Sequence, residues 1–517
     1  MLVKTFGCAL FGIEAIQVTI EVNIGRGINF YLVGLPDNAV KESQQRIEAA
    51  MYNLGYYYPH KRIVINMAPA DIRKEGSAYD LPIAIGIMAA SEQVSADLLE
   101  QFVIMGELSL DGTLNPIKGT LPIAIKAKQD GFRGLIVPKA NAREAAVVTG
   151  LEVYGVENIH EVVSILNGEN QIQPVTIDVA ESWQDASCEL DFSDVRGQEN
   201  IKRALEIAAA GGHNVILIGP PGSGKTMLAK RMPTILPPLT MAEALETTKI
   251  HSVAGLIGRN AALVRTRPFR SPHHTISDAG LVGGGTYPQP GEISLAHNGV
   301  LFLDEAAEFR TSVLQSLRIP LELGSITLSR AGRHTVFPAR FQLFMAANPC
   351  PCGNYGSENR ICVCSPHAVE TYWKKLSGPL LDRIDIRVPL LDSYSENFEV
   401  SGDSLLEDKF AYYNSVSSAK LRPSIALAVH MQRRRQGKNN ASLTPEEIST
   451  KIVLEEEAES TFEELTVSSN FSGRAEHSIL KLSRTIADLE GCEKVNSNHI
   501  IEAYEFRKNE GGLDICF

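Results

Sequence analysis

The sequence contains few cysteines, no long apolar run and no excess of basic residues, and each absence excludes a class of protein. Eight of the 517 residues are cysteine. Four of them, Cys8, Cys188, Cys492 and Cys516, are scattered without pattern, which argues against a disulfide framework. No stretch of about 18 apolar residues occurs, so no membrane span is expected. Because the alternating start of the chain does not resemble a signal peptide, we predict a cytoplasmic protein without a membrane partner.

The chain is acidic overall, with 49 lysines and arginines against 61 aspartates and glutamates. A net charge of −12 argues against nonspecific coating of nucleic acid by the whole surface. A local basic patch can still bind nucleic acid, because the phosphate field acts over about a Debye length. With 44% hydrophobic and 21% charged residues, the composition is that of an ordinary globular protein of roughly two to four domains.

Four regions differ in pattern along the chain. Residues 1–170 mix strand-like runs with helical ones, and residues 171–193 form a polar stretch that we interpret as a linker. Apolar strands alternate with amphipathic helices over residues 194–393, which predicts an α/β domain around a parallel sheet. Residues 394–517 contain no strong strand. Their segment LTPEEI, in which Thr444 begins a capping box, predicts a helical end of the chain.

A glycine-rich loop follows an apolar strand and precedes a helix in the segment HNVILIGPPGSGKTMLAKRM. The loop matches the pattern G-x-x-x-x-G-K-[ST] in full. Its glycines permit a tight turn in which successive N–H groups face phosphates, Lys225 reaches the β and γ oxygens of ATP, and Thr226 coordinates Mg²⁺. The alternative is a chance glycine-rich turn. The predicted nucleotide-binding residues of the loop are Gly219, Pro220, Pro221, Gly222, Ser223, Gly224, Lys225 and Thr226.

Two further apolar strands end in polar residues. The segment GVLFLDEAAEF places Asp304 and Glu305 after one of them, where Asp304 would hold the Mg²⁺ shell and Glu305 would polarise the attacking water. The segment FQLFMAAN ends at Asn348, whose side chain could fix that water beside the γ-phosphate. The alternatives are an exposed acidic pair that caps the next helix, and a turn asparagine before a proline.

Two arginines downstream complete the predicted ATPase. The segment LSGPLLDRIDIRVPL places Arg383 between two aspartates, and SGRAEHSILKLSRTIADL places Arg474 at a helix start in the helical part of the chain. Taken alone, each arginine is more often part of a surface ion pair. Together with the preceding elements, we interpret Arg383 as an arginine finger and Arg474 as a lid arginine.

Two basic loops without acidic residues lie inside the predicted α/β domain. They are RNAALVRTRPFRSPHH, which begins at Arg259, and SRAGRHTVFPARF, which reads as a hairpin around Ala331 and Gly332. If both loops line the pore of a ring, they would hold the phosphates of DNA without regard to sequence. The alternative is that some of these side chains bind nucleotide or a neighbouring subunit. The predicted DNA contacts are Arg267, Arg270, His273, His274, Arg330 and Arg333.

Half of the cysteines occur as two Cys-x-Cys pairs directly after Asn348, in an insertion at 350–364. In an extended Cys-x-Cys, residues i and i+2 lie on the same side, so each pair can present two thiolates to one ion. Four thiolates in a closed tetrahedral set predict structural Zn²⁺. The alternative is a group of reduced or redox-active cysteines. The predicted zinc ligands are Cys350, Cys352, Cys362 and Cys364.

The order of these elements resembles that of the AAA+ ATPases, and three longer motifs resemble the magnesium-chelatase-like ComM/YifB family over essentially the whole chain. They are RTRPFRSPHHTISDAGLVGGG, PQPGEISLAHNGVLFLDE and RAGRHTVFPARFQLFMAANPCPCG. The resemblance implies an AAA+ parallel-sheet core with a helical C-terminal lid, ATP and Mg²⁺ as cofactors, and a hexameric ring. It also implies a DNA helicase that drives branch migration during natural transformation, with Arg383 as the finger acting in trans and Arg474 as the second sensor.

Two rival functions remain open beside a motor on single-stranded or branched DNA. One is a chelatase-like ATPase that remodels a protein partner. The other is a binding module that uses ATP only to set ring assembly. The acidic pair and the arginine finger favour hydrolysis over the second rival, and the acid-free loops favour DNA over a protein substrate.

The N-terminal region resembles the α+β Lon-protease-like domain, which raises ATP-dependent proteolysis as a third rival. Such proteases use a Ser–Lys dyad. In DIRKEGSAYDLPIAIGIMAA the serine position falls on Ala78, with Ser77 one residue early. The lysine position falls on Leu121, and Lys118 lies three residues before it. A shift of one residue turns a side chain to another direction, so we predict a catalytically silent domain.

Overall fold

The structure is a computed structural model that describes most of the chain. The described residues are 2–169, 172–177, 190–195, 197–258, 261–285, 288–330, 333–356, 360–376, 378–390, 416–469 and 471–507. Some sequence predictions fall outside these ranges. They concern most of the predicted linker, Arg259 in the first basic loop, and the turn residues Ala331 and Gly332 of the second.

The first part of the chain is built from mixed strands and helices. Its strands are β1 (Leu2–Phe11), β2 (Glu14–Gly25), β3 (Phe30–Val33), β4 (Arg62–Ala68), β5 (Phe102–Ile104), β6 (Glu107–Leu108), β7 (Leu114–Asn115), β8 (Gly134–Pro138) and β9 (Glu152–Val156). Its helices are α1 (Asn38–Lys41), α2 (Ser43–Asn53), α3 (Asp80–Ala90), α4 (Thr120–Gln129), α5 (Lys139–Ala145) and α6 (Ile159–Leu166).

Seven of these strands form one mixed sheet in the order β3-β4-β2-β1-β5-β8-β9. Helix α3 is apolar after its first residue, Asp80, and each of its residues is buried, because it packs between strands β1 and β2 and helix α2. Along β4, buried residues alternate with more exposed ones, so Arg62, Val64 and Asn66 face away from this core. The sheet therefore keeps an open face along β3 and β4.

The middle part of the chain is an α/β unit. Its strands are β10 (Val215–Ile218), β11 (Phe269–Arg270), β12 (Gly283–Gly284), β13 (Gln289–Pro290), β14 (Val300–Leu303), β15 (Ser325–Arg330), β16 (Arg333–Pro338), β17 (Gln342–Ala347) and β18 (Ile386–Pro389). Its helices are α7 (Glu199–Gly211), α8 (Lys225–Ile235), α9 (Met241–Ala254), α10 (Asp278–Val282), α11 (Glu292–Leu295), α12 (Thr311–Ser316), α13 (Arg318–Leu323), α14 (Pro366–Lys374) and α15 (Gly378–Leu381).

Five of these strands form a parallel sheet in the order β11-β14-β17-β10-β18. Strands β10, β14 and β17 are buried along their whole length, as expected for apolar runs covered by helices on both faces. Their carboxyl ends meet at one edge of the sheet, which is where open α/β sheets bind ligands. The short antiparallel pairs β12–β13 and β15–β16 stand outside this sheet.

The last part of the chain is helical, as the sequence predicts. Its helices are α16 (Ser418–Gln436), α17 (Pro445–Lys451), α18 (Glu456–Ser469), α19 (Gly473–Leu489) and α20 (Ser497–Glu505). The predicted capping box at α17 is confirmed, since Thr444 and Glu447 exchange hydrogen bonds between side chain and backbone. Buried Asp385 fastens α19 to the core by accepting hydrogen bonds from His213 at 2.9 Å and Ser478 at 2.7 Å.

The N-terminal part contacts helix α9 of the middle part through a buried carboxylate. Glu144 on α5 accepts hydrogen bonds from the backbone N–H of Leu121 at 2.8 Å and from the hydroxyl of Ser252. Burial raises the pKa of the Glu144 carboxyl, although these hydrogen bonds oppose the change. A backbone hydrogen bond of 3.0 Å from Gly119 to Ser252 adds to this contact.

These observations confirm the predicted fold class: a parallel-sheet core with a helical C-terminal region, preceded by an α+β unit. In the described part of the chain, no helix combines the length and the apolar character that a membrane crossing requires.

Candidate functional site

The glycine-rich loop connects β10 to α8 at the carboxyl edge of the parallel sheet. Its first N–H, from Gly219, donates to the carbonyl of Ala347 at 3.1 Å and so aligns the loop with β17. Gly222 and Gly224 both have φ near +86°, a conformation that a side chain would strain. Gln198 supports the turn from outside by donating to the carbonyl of Ser223 at 3.1 Å. The loop thus has the geometry that exposes backbone N–H groups to phosphate oxygens.

Lys225 lies folded into this loop. Its ammonium donates to the carbonyls of Gly219 at 2.6 Å and Pro220 at 2.7 Å. It also lies 3.4 Å from Oδ1 of Asn348, the residue after β17. Burial lowers the pKa of Lys225, and the negative charges of the acidic pair after β14 oppose that change. Phosphate oxygens entering the loop would meet an ammonium already aimed at the end of β17.

The hydroxyl of Thr226 donates to Oδ2 of Asp304 at 2.7 Å. These two residues come from different elements, the start of α8 and the end of β14. Helix α8 follows β10, and β10 and β14 flank β17 in the sheet. A hydroxyl and a carboxylate are oxygen ligands of the kind that Mg²⁺ prefers, usually together with waters and the phosphates themselves. The residues therefore fit the predicted Mg²⁺ site of an ATPase.

Glu305 follows directly in a left-handed conformation, with φ at +51°. Its N–H donates to Oδ1 of Asp304 at 3.0 Å. Its own carboxylate is 59% exposed and lies 3.6 Å from Nδ1 of His274. The ring of His273 lies 4.2 Å from that of His274. A left-handed backbone conformation is uncommon for a residue with a side chain. At Glu305 it directs the carboxylate away from that of Asp304.

Among the described residues, no hydrogen bond or ion pair joins the side chain of Arg383 or Arg474 to the phosphate loop, Asp304 or Glu305. The guanidinium of Arg383 bonds to the carboxylate of Glu322, and that of Arg474 lies 3.6 Å from the same oxygen. The carbonyl of Arg383 accepts a hydrogen bond of 2.9 Å from Asn214, the residue before β10. The two arginines therefore share one carboxylate, and the backbone of Arg383 lies at the amino end of β10, about 13 Å from its carboxyl end.

The arginines of the first basic loop have partners within the chain. Arg267 is largely buried and donates to the carbonyls of Pro237 at 2.6 Å and Asn298 at 2.7 Å. Arg270 forms a two-pronged ion pair with Glu292, at 2.6 and 2.7 Å. These partners come from other segments of the chain. A loop that contains no acidic residue can therefore still lie next to acidic side chains in the folded chain. Both arginines are thus engaged within the chain, and their role as DNA contacts stays a prediction.

The second basic loop is confirmed as a hairpin. Strands β15 and β16 pair antiparallel from Ser325 opposite Pro338 to Arg330 opposite Arg333. Arg330 is thus the last residue of one strand and Arg333 the first of the other, on either side of the turn. The hairpin leads through three residues into β17 and so to Asn348.

The four cysteines of the insertion converge. Their sulfur atoms all lie within 4.8 Å of one another. The Sγ of Cys350 is 3.3 Å from that of Cys352 and 3.7 Å from that of Cys362. Tetrahedral Zn²⁺ with four sulfur ligands needs sulfur atoms about 3.8 Å apart. The backbone N–H of Tyr355 also donates to the Sγ of Cys350 at 3.3 Å.

The same insertion touches the phosphate loop. Gly353, with φ at +79°, lies against Pro221 so closely that an added Cβ would be 2.6 Å from Pro221 Cδ. On the other side, the indole N–H of Trp373 donates to the carbonyl of Pro349 at 3.0 Å. The sequence carries no local signal of either contact, apart from a glycine following the first cysteine pair.

The residues compared with a Ser–Lys dyad have other partners. The hydroxyl of Ser77 donates to the carboxylate of Glu107. Leu121 is fully buried, and the side chain of Lys118 packs against Gly255 of the middle part. In the described part of the chain, no hydrogen bond joins Ser77 to a lysine.

Comparisons with known proteins agree with this architecture. Three family models match: "Magnesium chelatase, subunit ChlI" over residues 191–397, "Subunit ChlI of Mg-chelatase" over 20–141, and "Magnesium chelatase, subunit ChlI C-terminal" over 415–507. The chain is 46% identical to Competence protein ComM of Haemophilus influenzae over 507 residues, or 96% of each chain. It is 42% identical to YifB of Escherichia coli over 509 residues, again 96% of each.

A shorter match concerns Lon protease 2 of Bacillus subtilis, with 27% identity over 142 residues, which are 27% of this chain and 25% of that one. It agrees with the α+β unit at the start of the chain. The parallel-sheet core with its phosphate loop and the near full-length identities lead to one assignment. The chain belongs to the ComM/YifB family of magnesium-chelatase-like AAA+ ATPases.

Proposed function

We propose that this chain is a hexameric DNA motor that uses ATP hydrolysis to drive branch migration during homologous recombination, as in natural transformation. The observation that carries the proposal is the β15–β16 hairpin. It brings two arginines, Arg330 and Arg333, to either side of a turn. The same chain segment then becomes β17 and ends at Asn348, 3.4 Å from Lys225. Loss of the γ-phosphate can thus be transmitted directly to a basic element suited to hold DNA phosphates.

The catalytic roles follow from the geometry of the carboxyl edge. Lys225 would hold the β and γ phosphates, and Thr226 with Asp304 would hold Mg²⁺, which neutralises charge during phosphoryl transfer. Glu305, whose carboxylate is exposed, would orient the attacking water. Asn348 would place that water and report the γ-phosphate to the hairpin.

His274 lies beside the exposed carboxylate of Glu305. His274 lies 3.6 Å from Glu305 and is suited to hold its carboxylate away from the attacking water. DNA or a neighbouring subunit would then displace His274 and release the carboxylate. We propose this role for His274 in place of a direct DNA contact. His273 stacks on it and would move with it.

The position of Arg383 supports the proposed ring. Its backbone lies at the amino edge of the sheet, so we propose that its side chain serves the nucleotide of a neighbouring subunit rather than its own. Arg474 shares Glu322 with it, so we propose that both act on the same neighbouring site. Glu322 would hold the pair in the single chain and release it to the γ-phosphate in the ring.

The cysteine cluster fits a structural Zn²⁺ site. The sulfur separations are close to those of a tetrahedral set, and a closed set leaves no position for catalysis. Because Gly353 in this insertion rests on Pro221, the metal would stiffen the phosphate loop. We propose that zinc supports nucleotide binding through this contact.

Specific observations bear on two other functions, the remodelling of a protein partner and proteolysis. The family models carry the name of magnesium chelatase, which favours an ATPase that remodels a protein partner. Proteolysis is not favoured, since Ser77 bonds to Glu107, and Ala78 and Leu121 occupy the compared positions. We therefore propose a catalytically silent N-terminal domain.

Measuring ATP hydrolysis with and without four-way or forked DNA separates the motor from the protein-remodelling alternative. The motor predicts faster turnover when DNA is added. Unchanged turnover, together with stimulation by a protein fraction, would favour remodelling.

A further inference from the structure

Exposed aromatic rings and cations gather at one corner of the N-terminal sheet. The segment YYYPHKR, residues 56–62, precedes β4 and contains no acid. Next to it lies the β2–β3 connection, because the N–H of Ile63 donates to the carbonyl of Asn29 at 2.9 Å. We call the resulting surface the aromatic-basic face. It consists of Arg26, Tyr31, Tyr57, His60, Lys61 and Arg62, all of them exposed.

Two pairs of side chains within this face are in contact. The guanidinium of Arg62 lies over the ring of Tyr31, 5.3 Å from its centroid. The ring of His60 meets that of Tyr57 edge-on, with centroids 6.2 Å apart. The stem of Arg62 packs on Gly27, where an added Cβ would lie 3.2 Å away. The face therefore contains one ring in contact with a guanidinium and one in contact with an imidazole.

Hydrogen bonds fix the backbone of Tyr57 and the hydroxyl of Tyr31. Tyr57, 58% exposed, exchanges two backbone hydrogen bonds with the side chain of Gln93, at 2.9 and 2.8 Å. Tyr31, 44% exposed, accepts from the amide of Asn29 at 3.0 Å. Rigid exposed rings lose little conformational freedom when a flat ligand stacks on them.

The charges of this face are uncompensated. Among the described residues, none of Arg26, Lys61 and Arg62 forms an ion pair, whereas Arg46 in the same part of the chain is paired with Asp80 at 2.6 Å. Two carboxylates approach the segment from the side of its other tyrosines. Burial and, to a smaller extent, Glu48 raise the pKa of Tyr58 to about 12, and burial with Glu169 raises that of Tyr56. Neither acid forms an ion pair with the cations.

We infer that the aromatic-basic face binds single-stranded DNA. Bases stack on aromatic rings with little regard to sequence, and lysines and arginines hold the phosphates between them. In a chain of net charge −12, unpaired cations beside exposed rings complement a polyanion whose bases are free to stack. This site would hold a strand outside the AAA+ core, without ATP. The aromatic-basic face and the proposed motor would both bind DNA. Binding at the face depends neither on ATP hydrolysis nor on the β15–β16 hairpin.

The test is fluorescence anisotropy of a labelled oligo-dT of about 20 nucleotides with the full chain, in the absence of nucleotide. It is done in an Arg330→Ala/Arg333→Ala background, so that binding reports the face. We expect Tyr57→Ala to weaken binding about fivefold or more, and Tyr57→Phe to retain it, because stacking needs the ring and not the hydroxyl.

The contribution of the cations is tested by the salt dependence of the binding affinity. Lys61→Ala/Arg62→Ala should reduce the slope of log affinity against log salt by about 1.4, or about 0.7 for each phosphate that is no longer neutralised. Arg143→Ala, an exposed arginine on α5, is the matched control and should leave the slope unchanged. With a blunt duplex of equal length, Tyr57→Ala should have no effect, since paired bases do not expose their faces.

The inference is wrong if the oligonucleotide does not bind in this background, or if Tyr57→Ala and Lys61→Ala/Arg62→Ala bind like the Arg143→Ala control. The face would then belong with an acidic protein partner. Failure of the motor has a different signature, because DNA would then leave ATP turnover unchanged while the face still bound the oligonucleotide.

Discussion

The ammonium of Lys225 lies 3.4 Å from the side-chain oxygen of Asn348, although the two residues are 123 positions apart. The contact exists because β10 and β17 are parallel neighbours whose carboxyl ends coincide. It joins the phosphate loop to the strand that continues the β15–β16 hairpin. Any change at the γ-phosphate therefore reaches a residue in the same segment as the proposed DNA contacts.

Replacement of Lys225 by alanine should remove the cation that meets the phosphates. We expect ATP affinity to fall at least about tenfold, because a hydrogen bond to a charged group contributes about 1.5–3 kcal/mol. Isothermal titration with ATP and Mg²⁺ measures the change. Lys230→Ala, an exposed lysine on the same helix, is the matched control. Equal affinity of the two variants would contradict the assignment of Lys225.

The Glu305→Gln variant should bind ATP with nearly unchanged affinity and hydrolyse it about 10²- to 10⁴-fold more slowly, since the amide cannot accept the proton of the attacking water. Single-turnover hydrolysis measures the chemical step directly. Glu308→Gln, an exposed glutamate three residues further on, should hydrolyse ATP like the wild type. A fully active Glu305→Gln variant would show that another group activates the water.

Subunit mixing tests whether Arg383 serves a neighbouring site. Arg383→Ala alone should slow hydrolysis about 10³-fold or more. Mixing it with Lys225→Ala chains should restore part of the activity, because some interfaces then join an intact loop to an intact arginine. A mixture of Lys225→Ala with Glu305→Gln chains is the control, since those two residues belong to the same site and no interface is complete. Recovery no greater than in that control would place Arg383 in its own site.

Zinc binding is tested by metal analysis of the purified chain. We expect about one zinc per chain, lost in Cys352→Ser/Cys362→Ser and retained in Cys8→Ser, which changes a cysteine outside the cluster. The double variant should also melt at a lower temperature, because a structural metal contributes folding free energy. Weaker ATP binding would follow from the contact of Gly353 with Pro221. A metal-free wild type with full ATPase activity would refute the zinc site.

The nucleotide edge could be anticipated from the sequence because its signals are local. The loop from Gly219 to Thr226 follows a strand and opens a helix, and the carboxyl ends of parallel strands must meet at one edge. The same reasoning predicts that Asp304 and Asn348 lie close to the loop. The hairpin and the capping box of α17 could be anticipated for the same reason, since each depends on residues a few positions apart.

Contacts between distant segments could not be anticipated in this way. Arg267 and Arg270 lie in a loop without acids, yet the acids that pair with them come from α9 and α11. The shared partner of Arg383 and Arg474, Glu322, precedes the hairpin and carries no pattern of its own. The place of His274 beside Glu305 depends on how the first basic loop folds back onto β14. Such pairs form only when distant segments of the chain pack together.

The most direct measurement of the motor follows a labelled four-way DNA junction in the presence of ATP and Mg²⁺. The wild type should convert it to two forked duplexes, and Glu305→Gln should not, since it binds ATP without hydrolysing it. The Arg330→Ala/Arg333→Ala variant should lose both the conversion and the stimulation of hydrolysis by DNA. A wild type that leaves the junction intact, or a hairpin variant that converts it as fast as the wild type, would contradict the proposed motor.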